Sequence, residues 1–253
     1  MRAPLPMAKP RFTYVFIGIC AVVFVLMTLT GGTESAANLV RWGANFAPLV
    51  DQGEYWRLLT ANFIHIGVLH LAFNLYALFQ LGPQVEAIYG YPRFLTIYLL
   101  SGLSGAVLSY LLTHGLSAGA STSLFGLFGA LVVYFYKHRE LFGKAGQQQL
   151  ISLGIILLVN VIIGLSPGSS IDNWGHLGGF IGGAALAWFL CPRYVPVDPF
   201  ANALAPAMSQ SRKPELSNGF IMDTNSLPKQ WLPVVLFVLV LVALTAIAPT
   251  FLR

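Results

Sequence analysis

The sequence predicts an all-α polytopic membrane protein, and three observations carry that reading. The 253 residues are 56% hydrophobic and only 9% charged, against about 25% charged in a typical soluble domain. Mean hydropathy is +0.71. The apolar residues also fall into long unbroken runs, and a single run in hydrocarbon satisfies its own backbone only as a helix.

A spanning helix takes roughly 20 mainly apolar residues. Such runs lie at about 12–30, 58–80, 93–113, 121–137, 148–165, 174–191 and 231–250, so seven spans are expected. The first run follows Arg2, Lys9 and Arg11 as a signal peptide would. It is long for that role and lacks an A-x-A cleavage site, so it reads as a retained helix. The loop 31–57 carries Trp42, Phe46, Tyr55 and Trp56, which suit a membrane interface. The loops 114–120 and 166–173 are short and rich in Gly, Ser and Pro, so the helices beside them must pack as neighbours. The chain thus divides into an N-terminal segment 1–11, a six-helix core 12–191, a linker 192–229 and a seventh helix within 230–253. The linker's Pro, Ser and Asn content reads as flexible, which would leave the last helix detached.

Basic residues set the orientation. With the N-terminus in the cytoplasm, eleven of the 14 Lys and Arg fall inside, and only Arg41, Arg57 and Arg253 fall outside. Cytoplasmic loops carry such an excess, so the C-terminus is expected outside, and the expected location is a bacterial plasma membrane. The net charge of +5 is spread over these loops, with no basic, aromatic-laced patch that would point to nucleic acid. Cys20 and Cys191 lie within apolar runs without metal-ligand spacing and read as packing residues.

Two motifs carry the chemistry: GASTSLFG at 119–126 and GHLGGFIGG at 175–183. Each opens a span, and with the expected topology the second, fourth and sixth helices all run from outside to inside. Ser121 then begins the fourth helix, and His176 sits within a turn of the start of the sixth. His70 and Asn74 lie four residues apart on one face of the second. Interhelical hydrogen bonding alone could explain any one of these residues. Four of them converging at one depth from three helices point to a site. A serine hydroxyl needs an adjacent base to become a nucleophile, and His176 is the candidate. His70, Asn74 and the Ser121 backbone N–H are candidate oxyanion donors, the last because a helix leaves its first N–H groups free. His65, nearer the surface, is divided between a supporting role and solvent exposure.

Glycines support this arrangement. His176, Gly179 and Gly183 form one stripe at i, i+3, i+7, while Gly126 and Gly129 thin the fourth helix, so the two backbones can approach closely. Asp and Glu are absent from the interior of the expected spans, and Glu54 and Asp172 sit at their edges. This favours a Ser–His dyad over a triad or aspartyl chemistry. There is no HExxH zinc motif, and neither Ser121 nor Ser104 sits in a GxSxG elbow. A GxSG at Gly102–Gly105 falls on a helix of opposite direction, and Ser104 reads as small-residue packing.

Together YWRLLT (55–60), HIGVLHLAFN (65–74), GASTSLFG and GHLGGFIGG resemble the rhomboid intramembrane serine proteases over about residues 54–190. The resemblance implies a six-helix rhomboid-like bundle plus one extra C-terminal transmembrane helix. It implies Ser121 as nucleophile, His176 as base and then acid, and His70, Asn74 and the Ser121 N–H as the oxyanion hole. Phe125 matches the ring that stacks on the catalytic histidine, Gly119 and Gly179 are supporting positions, and Trp56 and Arg57 match a structural motif of the first loop. The implied partners are transmembrane protein substrates and the bilayer, with small residues preferred before the cut and no cofactor. Thr122 departs from the family's usual Gly after the nucleophile, and a β-branched residue there is expected to narrow the site, alter the small-residue preference or blunt activity. Two other classes compete: a non-catalytic client-binding relative, and a transporter using the histidines as a polar path. The second is disfavoured because no inverted repeat is visible.

Overall fold

The structure, a computed structural model, describes residues 5–113, 115–167, 169–196 and 221–251. In these residues the long helices are α1 (Phe12–Leu29), α5 (Gly67–Tyr89), α6 (Tyr91–Leu112), α7 (Ser121–Lys137), α8 (Arg139–Gly164), α9 (Asn173–Leu190) and α10 (Trp231–Phe251). Between α1 and α5 the expected interface loop folds into the short helices α2 (Ala36–Trp42), α3 (Ala47–Asp51) and α4 (Arg57–Thr60), followed by a 3-10 turn, Ala61–Phe63. Arg57 anchors this region. Its guanidinium is buried, pairs with Glu54, donates to the Val40 and Ala44 carbonyls and lies over the Trp56 ring. Glu54 is therefore occupied structurally.

The expected span 58–80 is corrected in two ways. The segment Arg57–Phe63 bends 89° away from Gly67–Tyr89, across a break in which Ile64 and Ile66 are extended and Gly67 adopts φ +74°, a left-handed conformation open to glycine. The helix proper then runs on to Tyr89, which places Glu86 inside it. That carboxylate is fully buried, although the sequence pattern left the spans free of acids. It caps α1, accepting the N–H groups of Arg11, Phe12 and Thr13 and the Thr13 hydroxyl.

α7 and α9 lie side by side and parallel, with α6 antiparallel to both. Thr122 faces Gly179 and Gly126 faces Gly183, while Ser101 meets Gly126 and Ser104 meets Gly182. A Cβ on Gly179 would collide with the Thr122 carbonyl, and one on Gly183 with the Gly126 carbonyl. This glycine seam is the one expected from the i, i+3, i+7 stripe. Ser104 donates to the Gly178 carbonyl at 2.9 Å, the packing role read for it. Below the seam, Leu78, Ile97, Leu127, Leu131 and Ala187 form part of a buried apolar core.

Helix length and apolarity alone qualify α1, α6, α8 and Leu227–Ile247 as spans, and the bent pair ending at Tyr89 as a fifth. The expected count of seven also includes α7, with 17 residues, and the glycine-rich α9. α7 is mostly buried, while α9 exposes Leu177, Ile181 and Phe189 on one side and owes its lower hydropathy to its glycines and polar first turn. α8 carries a non-helical Gly143 (φ 52°, ψ −130°) ahead of its apolar stretch.

The last helix is not detached. Phe237 of α10 reaches Gly182, and Leu241 is buried with Val50, Leu58 and Ala106. Most of the expected linker, residues 197–220, lies outside the described residues. Its two ends pair as antiparallel strands, β1 (Tyr194–Pro196) and β2 (Ile221–Asp223). Asp223 forms a fully buried ion pair with Arg93 of α6. Arg93 also donates to the Leu190 carbonyl, and Asn225 to those of Phe189 and Cys191, so this return strap caps the far end of α9.

Candidate active site

The site forms where α7 and α9 both begin. Ser121 is the first residue of α7, and His176 lies in the first turn of α9. Parallel packing across the glycine seam brings the Ser121 Oγ within 2.9 Å of the His176 Nε2, and both side chains are half-buried. Phe125, one turn along α7 from Ser121, stacks on the imidazole with centroids 4.2 Å apart and planes 15° apart. The ring covers one face of His176 and limits its rotation. The hydrogen bond and the stack thus fix the imidazole from two positions on one face of α7.

Two backbone donors near Ser121 are already engaged. The Gly119 N–H donates to the Ala61 carbonyl at 2.9 Å, and the Ala120 N–H donates to the His65 Nε2 at 3.3 Å. The Ser121 N–H is the next in line, and as the first residue of a helix it has no intrahelical acceptor. His65 is fully buried, so of the two roles open to it from sequence the structure takes the supporting one.

His70 approaches from α5. A Cβ at Gly119 would lie 2.8 Å from both its Cε1 and Nε2, and 3.6 Å from the Ser121 Oγ. The Nε2 edge therefore packs over Gly119 beside Ser121, while Nδ1 accepts the Ile66 N–H at 3.4 Å. Gly119 also has φ +142°, so a side chain here would meet both strain and collision. Asn74 is buried one turn further along the same face. Its Nδ2 donates to the His70 carbonyl at 2.9 Å, and its Oδ1 has no hydrogen-bond partner among the described residues. No hydrogen bond among the described residues joins Asn74 to Ser121 or His176. The structure therefore brings Ser121, His176, Phe125, His70, Gly119 and Gly179 together, with Asn74 at the margin.

Thr122 does not narrow the site. Consecutive helical residues point about 100° apart, and Thr122 turns toward α6 and the 3-10 turn. Its hydroxyl donates to the Asn62 Oδ1 at 2.5 Å. Its Cβ would lie 2.7 Å from a Cβ at Gly105, and its Cγ2 3.1 Å from one at Gly175. Asn62, absent from the sequence-level site, holds this hydroxyl while donating to the Leu58 and Leu59 carbonyls.

A serine and an imidazole coupled at the mouth of a glycine-lined helix pair define a class of membrane protein. The rhomboid domain model matches residues 52–193, more than half of the chain and all of the site, and the chain belongs to the rhomboid family. It is similar to "Rhomboid protease GluP" of Bacillus subtilis (strain 168), with 44% identity over 178 residues, covering 69% of this chain and 34% of that protein. "RHOMBOID-like protein 7" of Arabidopsis thaliana is 37% identical over 158 residues, covering 62% of this chain and 50% of its own. "Rhomboid-like protease 3" of Toxoplasma gondii is 36% identical over 184 residues, covering 69% and 68%. The chain spans between a third and half of the first two relatives.

Proposed function

We propose that this chain is an intramembrane serine protease that hydrolyses peptide bonds in or near the transmembrane segments of other membrane proteins. The observation that carries the reading is the 2.9 Å bond between the Ser121 Oγ and the His176 Nε2. Relatives named as rhomboid proteases support it.

In this mechanism the His176 Nε2 accepts the Ser121 proton as Oγ attacks the scissile carbonyl carbon. The carbonyl π electrons move to oxygen, and the resulting oxyanion is stabilised by the Ser121 N–H, the His70 Nε2–H and the second Nδ2 hydrogen of Asn74. Collapse breaks the C–N bond, and His176 returns the proton to the leaving amine. Water, deprotonated by His176, then attacks the Ser121 ester, and the second collapse releases the acid and restores the serine. Loss of one oxyanion donor typically costs on the order of 100–1,000-fold in rate. A substrate helix must unwind locally, because its carbonyls are hydrogen-bonded within the helix.

The same reading assigns residues 12–191 to the six-helix catalytic core and 230–253 to an added seventh span. It puts the N-terminus in the cytoplasm, the C-terminus and the water-accessible mouth outside, and the chain in a bacterial plasma membrane. The excess of basic residues in the loops assigned to the inside supports this orientation.

The test is cleavage of a single-span substrate in liposomes by wild type, Ser121→Ala and His176→Ala. Cutting by wild type that vanishes in both variants is expected. Absence of cutting by folded wild type against several substrates would shift the reading to a client-binding protein.

A further inference from the structure

We propose that Asp172 is a positioning residue that locks the His176 helix to the segment delivering Ser121; the inference rests on the proteolytic reading above. Asp172 stands just ahead of α9, and its Oδ1 accepts the Gly175 N–H at 2.9 Å. That contact alone makes an ordinary helix cap. The same carboxylate also reaches across to the connection between α6 and α7. Oδ1 accepts the Thr113 hydroxyl at 3.2 Å, and Oδ2 accepts the Ser117 hydroxyl at 2.6 Å. The Asp172 carbonyl accepts the His176 N–H at 3.0 Å. Helix capping requires neither of the two hydroxyls.

Ser117 is a firm anchor. Its backbone exchanges two 2.9 Å hydrogen bonds with Asn45, whose side chain in turn donates to the Ala106 carbonyl on α6. It stands four residues before Ser121. No other hydrogen bond among the described residues ties the first turn of α9 to residues 113–120. The carboxylate is also closely fitted, since a Cβ at Gly175 would lie 2.6 Å from Oδ2 and 3.1 Å from the Thr122 Cγ2. Asp172 thus fixes the relative height of two helix starts whose side chains must meet at hydrogen-bond distance. A misplacement of about 1 Å at such a pair can cost on the order of 100-fold in rate. Asp172 touches neither substrate nor reacting atoms in this role.

The test compares Asp172→Ala, Asp172→Asn and Ser117→Ala on a single-span substrate in liposomes, with kcat and KM separated. The Asn variant keeps the Oδ1 acceptor and sets an NH2 against the Ser117 hydroxyl, which can accept instead. Asp172→Ala is expected to lower kcat about tenfold or more with KM within about twofold. Asp172→Asn is expected to recover kcat to within about threefold of wild type, and Ser117→Ala to lower it about threefold. Unchanged kcat in folded Asp172→Ala would overturn the inference. So would an Asn variant as poor as the Ala variant, because charge and not position would then be at work. If Asp172→Ala does not fold, Ser117→Ala decides, and unchanged kcat there overturns the proposal. A wild-type protein that does not cut defeats the proteolytic reading instead.

Discussion

The two ends of α9 are built on opposite terms. At its far end the last backbone carbonyls are consumed. The Trp188, Phe189, Leu190 and Cys191 carbonyls are taken by Lys137, Asn225, Arg93 and Asn225, and the Arg93–Asp223 pair is sealed from solvent. At its near end the polar groups are held but not used up. Among the described residues the His176 ring hydrogen-bonds to Ser121 alone, the Ser121 N–H begins a helix, and the Asn74 Oδ1 is unpartnered. Buried polar groups are ordinarily satisfied, so this contrast separates the end that anchors the helix from the end poised to meet a substrate.

The largest way to break the comparison is at the satisfied end. Asp223→Ala removes the carboxylate that pairs with the buried Arg93 guanidinium, and should lower stability by about 3–5 kcal/mol. Thermal unfolding in detergent micelles reads this directly, and a shift no larger than that of a surface substitution would refute the capping role of the strap. Next comes the seam joining the two ends. Gly179→Ala drives a methyl into the Thr122 carbonyl and should cost about 1–3 kcal/mol. The same methyl should push His176 away from Ser121, so cleavage should fall further than the loss of folded protein explains.

At the unsatisfied end the effects should be kinetic and smaller. Phe125→Ala removes a stack worth about 0.5–1.5 kcal/mol, so kcat should fall by up to about tenfold while the unfolding temperature moves little. Thr122→Val breaks the bond to Asn62 and should cost about 1 kcal/mol of stability. Thr122→Ser should sit near wild type in both cleavage and melting, because the hydroxyl remains. A large gain in kcat from Thr122→Gly would show that the threonine does obstruct the site.

Much of the near end was legible in the sequence because it is written in local spacing. Ser121 and Phe125 are one turn apart, His70 and Asn74 likewise, and the seam repeats glycine at helical intervals. The far end is not written that way. Arg93 and Asp223 stand 130 residues apart, and Asp223 falls in a Pro- and Ser-containing stretch whose composition reads as flexible. Glu86 escaped for a related reason. The apolar run that marked α5 began before the Gly67 break, so the span was placed too early and the acid fell outside it. Asn62 and His65 were obscured because their partners, Thr122 and the Ala120 N–H, lie in a different helix segment. The capping aspartate was visible at the edge of α9, but its two hydroxyl partners appear only once the helices are in place.

The central claim is that His176 activates Ser121, and it is tested most directly by covalent labelling. Wild type, His176→Ala and Ser121→Ala would be treated in liposomes with a fluorophosphonate, the adduct located by peptide mass mapping, and residual cleavage followed against labelling. The account predicts one adduct, on Ser121 of wild type, with cleavage lost in proportion to its formation and no labelling in either variant. Cleavage that survives complete modification of Ser121, or equal labelling of Ser121 without His176, would contradict it.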